Sequence, residues 1–322
     1  MKLRFLGAAR NVTGSRYLLE SKGGRILIDC GLYQEREYKE RNWKPFPIPP
    51  SSIDAIVLTH AHLDHSGFIP RLMKLGFEGK IYCTAPTAEI TKIALIDSAH
   101  LLEEDAAFKK KRHQKEGRTG PYPEVPLYTV EDVNACLPHF VSVPYSEPIE
   151  VINGMTATFY DAGHILGSAM VVLESDHPGR KIIFSGDIGR WEKPILHDPT
   201  LFDEGDYVIT ESTYGNRRHE DPKDIGTMLA DIINRTNKAG GNVVIPSFAI
   251  ERAQELLYHL NNLLLEERIP PLVVFMDSPM AIRVTEVFKH FPNLYDAEMT
   301  ELVRSGPVSY THLRAHETRH DL

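Results

Sequence analysis

Four side chains that commonly bind metal ions are concentrated within six positions of the chain: His60, His62, Asp64 and His65. Imidazole nitrogen and carboxylate oxygen are donors that zinc prefers, and a catalytic zinc site keeps one position open for water. On a tight loop, His60 and His62 can face one ion while Asp64 and His65 turn toward a second. The spacing therefore predicts a metal centre with two ions that activates water.

Two further ligand candidates occur later in the chain, each close to glycines. His164 lies in the segment DAGHILGS, and Asp187 lies in the segment FSGDIG. Glycine lets backbone segments approach closely because it has no side chain. A single histidine in such a place is more often a hydrogen-bonded core residue, but the dense cluster at 60–65 favours metal binding here.

These candidates follow apolar runs that are typical of β-strands, and the run at 54–59 ends directly in the histidine cluster. Similar runs lie at 2–8, 15–21, 25–31, 80–83, 155–163, 169–175, 180–187 and 206–213, whereas 66–75 and 87–115 have helical spacing. Because strands outnumber helices, we expect two packed sheets with helices outside.

The pattern changes after residue 211, where helical and apolar extended segments alternate. We expect helices at 224–238, 248–266 and 279–290, and buried strands at 242–246 and 272–276. Alternation of this kind predicts a doubly wound α/β unit with parallel strands. We therefore expect one domain over residues 1–205 and a second over 206–307.

Two serines precede predicted helices of the second domain. Ser247 and Ser278 are good N-cap residues, and Pro279 suits a first helical position. Helix N-termini at the ends of parallel strands present free amide donors that can bind phosphate. Ordinary capping explains each serine equally well, and phosphate binding is the hypothesis we prefer for the pair.

Composition excludes several classes of protein. The 322 residues carry a net charge of −8 and only three cysteines, and no apolar run has the length of a membrane-spanning helix. We expect a cytoplasmic protein without a membrane partner. The charge argues against coating nucleic acid by bulk attraction, but not against a nucleic-acid enzyme. The basic run at 109–115 is interpreted as a solvated helix face, with substrate contact as the alternative.

Five motifs occur together in this chain: LIDCG, HAHLDHSG, DAGHILGS, FSGDIG and ITESTYG. In this order they resemble the metallo-β-lactamase superfamily and, within it, the beta-CASP nucleases, which include ribonuclease J and the endonuclease of messenger-RNA 3′-end processing. The resemblance implies an α/β fold: an αββα sandwich with an inserted doubly wound beta-CASP domain. It also implies an RNA substrate.

The resemblance implies two zinc ions and six ligands: His60, His62, Asp64, His65, His164 and Asp187. The first ion would be held by the histidines at 60, 62 and 164, the second by residues 64 and 65, and Asp187 would bridge both. Asp29 would orient ligands from behind. Glu211 would join Asp64 and Asp187 as a catalytic residue by protonating the leaving group with a downstream histidine.

A zinc-dependent RNA hydrolase is the function that these features favour. Two divalent ions with two carboxylates remain net positive, which suits a phosphodiester, and an activated hydroxide between them can attack in line. Di-iron redox relatives in the superfamily tend to carry a carboxylate where this chain has His62, so the imidazole favours zinc and hydrolysis.

The end of the sequence departs from the resemblance. Two later histidine motifs have no counterpart, and we expect residues 308–322 to be a non-native tail on a C-terminally truncated chain. Its histidines His312, His316 and His320 are spaced like a helix face, which we interpret as coincidence. These 322 residues are therefore expected to bind the first zinc weakly and to show little nuclease activity.

Two alternative functions remain open. A small-molecule hydrolase of the same superfamily, such as a thioesterase or lactonase, would use the same metal centre without a second domain that contacts phosphate. A non-catalytic RNA-binding scaffold is the other alternative. A homodimer is also left open.

Overall fold

The computed structural model describes residues 1–120, 122–176, 179–218 and 224–305. The chain divides into two compact units. The first unit comprises Met1–Gly189 and Pro199–Glu211. The second comprises Arg190–Asp198 and Ser212–Leu322. Its described residues are 190–198, 212–218 and 224–305. The predicted limits of the domains at 205 and 307 stay predictions.

Two sheets form the first unit. The six strands of the first sheet lie in chain order: β1 (Lys2–Phe5), β2 (Tyr17–Glu20), β3 (Arg25–Ile28), β4 (Ala55–Val57), β5 (Lys80–Thr84) and β6 (Phe140–Val143). Strands β1 to β3 pair antiparallel, and β3 to β6 pair parallel. The parallel strands therefore end at a common edge, which is where the predicted metal ligands begin.

The second sheet has the order β11-β10-β9-β8-β7, and its pairs are antiparallel apart from the parallel pair β10–β11. Its strands are β7 (Ile149–Ile152), β8 (Met155–Asp161), β9 (Ala169–Asp176), β10 (Gly179–Phe184) and β11 (Tyr207–Ile209). The same direction of β8, β10 and β11 brings three strand ends to one edge of this sheet.

Alternating side chains bury both faces of the first sheet. Leu19 and Ile26 pack with Phe159 and Phe184 of the second sheet, and this cluster fills the space between the sheets. On the opposite face, the neighbouring residue Leu18 belongs to a core beneath helices. Those helices are α1 (Leu63–Ser66), α2 (Ile69–Lys74), α3 (Ala85–Glu116) and α4 (Val130–Cys136). This period of two confirms the layered sandwich.

The second unit contains α5 (Ile225–Lys238), α6 (Arg252–Leu265), α7 (Pro279–His290) and α8 (Ala297–Arg304). Helices α5 and α6 pack on a small core with Leu272 and Val274. The predicted strands at 242–246 and 272–276 are wrong: neither segment is paired as a strand in the described residues. Val244 and Val273 are exposed there. A segment forms a strand only when neighbouring strands hydrogen-bond to it, and these two have no such neighbour among the described residues.

No helix within the described ranges combines the length and the apolar character needed to cross a bilayer. The three cysteines Cys30, Cys83 and Cys136 are buried and free. Burial raises the pKa of the Cys30 thiol to about 12, so this thiol remains protonated and unreactive near neutral pH.

Candidate metal centre

The predicted ligands lie at strand ends along one edge of the sandwich. In the first sheet, Asp29 directly follows β3 and His60 follows β4. In the second sheet, His164 lies between β8 and β9, and Asp187 follows β10. Loops from separate strands therefore supply the side chains, while the sheets hold those loops in place.

Four of these residues form one group, composed of His60, His62, His164 and Asp187, whose donor atoms all lie within 4.8 Å of one another. Nδ1 of His62 lies 3.1 Å from Nε2 of His60 and 3.1 Å from Nε2 of His164. Oδ2 of Asp187 lies 3.8 Å from Nε2 of His60 and 3.6 Å from Nε2 of His164. Three imidazoles and one carboxylate are a donor set that fits zinc.

A second group adjoins the first through the same aspartate. Nε2 of His65 lies 3.2 Å from Oδ1 of Asp187 and 3.9 Å from Oδ2 of Asp64. One carboxylate oxygen of Asp187 thus faces the first group and the other faces His65. The structure brings together all six residues that the sequence suggested as ligands.

Asp29 is buried behind the second group. Its Oδ2 accepts a hydrogen bond from Nδ1 of His65 at 2.7 Å, and its Oδ1 accepts one from the backbone N–H of Thr59 at 2.8 Å. A carboxylate can only accept here, so Nδ1 of His65 carries a proton, and Nε2 is the ring nitrogen that faces Asp64 and Asp187.

Thr59 is a positioning residue that the sequence analysis missed. Its hydroxyl donates to Oδ2 of Asp29 at 2.9 Å and lies 3.0 Å from Nδ1 of His60. Because the single hydroxyl proton goes to the carboxylate, Nδ1 of His60 must donate to the hydroxyl oxygen. Nε2 of His60 then faces the first group unprotonated. The only signal in the sequence was a threonine directly before the first histidine.

Backbone contacts fix the loops that carry the later ligands. Oγ of Ser168 accepts from the backbone N–H of His164 at 3.1 Å. The backbone N–H of Ala169 donates to the carbonyl oxygen of Thr59 at 2.8 Å, which links the two sheets beside the site. A Cβ atom on Gly189 would lie 1.8 Å from the carbonyl oxygen of Gly163. Only glycine fits at a position where two backbone segments approach so closely, as the sequence suggested for the glycines beside the ligands.

The electrostatics of the site favour a cation. Burial, followed by the neighbouring histidines, holds the pKa of His60 well below its usual value, so this ring is neutral. Burial alone would also lower the pKa of His65, but the carboxylates of Asp29 and Asp187 raise it well above its usual value. Against the cost of burial, the hydrogen bond from His65 lowers the pKa of Asp187 to about 2. Neutral His60 and ionised Asp187 are in the states that bind metal, and His65 gives up its Nε2 proton where an ion binds beside Asp187.

Glu211 lies two residues beyond β11, beside the loop of Asp187. Its Oε1 accepts a hydrogen bond from the backbone N–H of Ile188 at 2.9 Å, and its own N–H donates to Oγ of Ser185 at 3.3 Å. The contact places this carboxylate next to the backbone that carries Asp187, and its catalytic role stays a prediction.

The two predicted phosphate-binding serines differ in the structure. Ser278 caps α7, and its Oγ accepts from the backbone N–H of Ala281 at 3.2 Å. Ser247 does not cap a helix, because α6 begins at Arg252 with Glu251 as its N-cap residue. The prediction of a helix start after Ser247 is therefore wrong. The histidines predicted to be coincidental at 312, 316 and 320 lie outside the described residues.

Comparison with known families agrees with this geometry. The family model "Metallo-beta-lactamase superfamily" matches residues 10–229. The chain belongs to this superfamily. A second family model, "Beta-Casp domain", matches residues 253–321, which confirms the beta-CASP resemblance; this match reaches into 308–322, whose predicted non-native origin stays a prediction. Membership implies metal binding, and the histidine–aspartate group is the place for it in the described residues.

Curated relatives include nucleases and termination factors. A ribonuclease of Thermus thermophilus is 37% identical over 93% of this chain and 63% of its own length. A transcription termination factor FttA of Methanosarcina mazei is 32% identical over 94% of this chain and 46% of its own length. An RNase J-like protein of Methanocaldococcus jannaschii is 31% identical over 94% of this chain and 64% of its own length. The chain thus spans about half to two thirds of the length of these relatives.

Proposed function

We propose that the protein is a zinc-dependent hydrolase of RNA phosphodiester bonds. The observation that carries the proposal is the position of Asp187, whose two carboxylate oxygens face different groups of ligand atoms: Oδ2 faces His60 and His164, and Oδ1 faces His65. A carboxylate in this position is suited to bridging two cations. The ribonuclease among the curated relatives supports RNA as the substrate class.

The residues of the site have separate tasks in this proposal. The histidines at 60, 62 and 164 would hold one zinc ion, Asp64 and His65 would hold the second, and Asp187 would contact both. When bound there, two zinc ions supply an activated hydroxide and stabilise the negative charge that gathers on the phosphodiester in its transition state.

Behind these ligands, Asp29 and Thr59 hold a proton on Nδ1 of His65 and of His60, respectively, so that Nε2 is the nitrogen that each ring would present to an ion. Glu211 is proposed to protonate the leaving oxygen. Its hydrogen bond to the N–H of Ile188 supports this role because it holds the carboxylate beside the ligand loop.

Cleavage of a 5′-labelled single-stranded RNA tests the proposal. The assay uses zinc-loaded protein in excess over RNA, so that a single turnover is measured. We expect cleavage that a chelator abolishes and that added zinc restores. The variant Asp187→Asn is expected to lower the rate of cleavage roughly 100-fold or more. Changes at residues that only contact metal ligands already lower activity about 10- to 100-fold, and Asp187 is itself a proposed ligand.

Glu78→Gln is the matched control, because Glu78 is an exposed carboxylate of the same unit. It is expected to cleave like the parent. Hydrolysis of thioesters or lactones without cleavage of RNA would contradict the proposal and favour the small-molecule hydrolase. RNA binding without hydrolysis of any of these substrates would contradict it and favour the scaffold.

A further inference from the structure

Helix α3 has two halves of different character. In its first half, Ile90, Ala94 and Leu95 are buried against the core of the sandwich. From residue 100 onward only Ala106 and His113 are buried, and both lie on one side of the helix. The opposite side of this second half is exposed, so core packing does not explain its residues.

The exposed side of the second half carries a stripe of cations around an aromatic ring. The spacing of 3, 4 and 7 residues places Phe108, Lys111, Arg112 and Lys115 on one face. We call these four residues the basic face. Phe108 is 63% exposed, and Cζ of Arg112 lies 6.0 Å from the centre of its ring. The stripe extends over about 10 Å along the helix axis.

The basic face lies in a short segment of high positive charge within a protein that is acidic as a whole. Residues 108–118 contain six lysine and arginine residues and one acidic residue, although the whole protein carries a charge of −8. Lys109 pairs with Asp105, and Arg112 lies 3.9 Å from Glu116. Within the described part of the chain, Lys111 and Lys115 take part in no ion pair. Two exposed lysines therefore lie beside an exposed ring.

Helix stability alone accounts for only part of this pattern. Cations near a helix C-terminus interact favourably with the helix dipole, but this effect is confined to the last turn. It explains Lys115 and leaves Lys111 and the exposed ring of Phe108 unexplained. Alternating cations and an aromatic ring are instead the features with which proteins bind single-stranded nucleic acid, through phosphate contacts and base stacking.

We propose that the basic face is a contact surface for single-stranded RNA, with Lys111, Arg112 and Lys115 at backbone phosphates and Phe108 stacked on an unpaired base. The proposal rests on the proposed function for its choice of RNA. It assigns substrate binding to a helix that supplies none of the metal ligands.

Fluorescence anisotropy with a labelled 20-nucleotide oligouridine, measured across a range of salt concentrations, tests this proposal. Each lysine that contacts a phosphate adds about 0.7 to the slope of log affinity against log salt for a single strand. The double variant Lys111→Gln/Lys115→Gln is expected to lower that slope by about 1.4 and to weaken binding roughly tenfold or more at low salt. Phe108→Ala is expected to weaken binding roughly 5- to 150-fold.

The matched control is Lys22→Gln/Lys92→Gln, which removes the same charge from exposed lysines of the same unit, one of them in the first half of α3. Circular dichroism shows whether each variant keeps its fold. The proposal is overturned if the parent binds no oligouridine, if the control weakens binding as much, or if Phe108→Ala binds like the parent. Hydrolysis of bis(p-nitrophenyl) phosphate, which needs no RNA surface, reports separately on the metal centre.

Discussion

Replacing Asp29 by asparagine tests how the second ligand group is organised. Both side chains have the same shape, but the amide nitrogen of asparagine donates where the carboxylate accepts. If its oxygen keeps the contact with the N–H of Thr59, its amide group faces Nδ1 of His65. That ring nitrogen must then lose its proton and accept, so the ring keeps its remaining proton on Nε2, which faces Asp187 at 3.2 Å.

The expected magnitude follows from this change of tautomer. A protonated Nε2 cannot bind zinc, and changes of this kind behind metal ligands lower affinity about 10- to 100-fold, or about 1.4–2.7 kcal/mol. The loss is expected for zinc at the second group, which Asp29 contacts through the 2.7 Å bond to His65. The hydrogen bonds of a buried carboxylate also contribute to stability, so a lower Tm is expected as well.

Competition with a chromophoric chelator measures the zinc affinity, and ¹⁵N chemical shifts of the histidine rings report the tautomer of His65. Thr59→Val is an informative second variant, because it removes the hydroxyl beside Nδ1 of His60 and leaves Asp29 in place. Glu78→Gln again serves as the control. A folded Asp29→Asn protein with parental zinc affinity and an unchanged ring tautomer would refute the reasoning.

Three further predictions concern stability and metal removal. Ser278→Ala is expected to destabilise the protein by about 1 kcal/mol in urea unfolding because it removes a helix cap, whereas Ser247→Ala is expected to change nothing; equal effects would contradict the assignment of caps. Gly189→Ala is expected to lower Tm and zinc affinity together, since its Cβ would lie 1.8 Å from the carbonyl oxygen of Gly163; a variant that matches the parent in both would count against that contact. Zinc at about 100 times its dissociation constant is expected to add about 2.7 kcal/mol of stability, which a chelator removes; a Tm insensitive to zinc and chelator would argue against the site.

The segment around Ser247 shows why one local prediction was wrong. A serine before an apolar helical pattern is a good start signal, yet α6 begins at Arg252. The backbone of Glu251 has a φ of 67°. Nζ of Lys193 lies 3.5 Å from Oε1 of Glu251 and 3.3 Å from Oε1 of Glu255. A lysine more than fifty residues away in the sequence thus contacts the first turn of α6, and local spacing contains no information about it.

The extended segments of the second unit illustrate a related limit. Residues 272–276 have the alternating apolar pattern of a strand, and Leu272 and Val274 do pack inward on helices. Strand formation also needs hydrogen-bonding partners on neighbouring strands. Apolar character predicts that a segment is extended, whereas pairing depends on what lies beside it in space.

The sequence by itself determined the chemistry of the site, because the donor atoms of His60, His62 and Asp64 are fixed by residue type and their spacing is local. It also indicated most strands of the first unit, since alternation of apolar residues follows from the geometry of a sheet with two faces. Only the tertiary structure decided how Asp187 presents its two oxygens to separate groups and which nitrogen of His65 faces them. Those properties depend on contacts between residues from 29 to 187, and such contacts exist only once both sheets have packed.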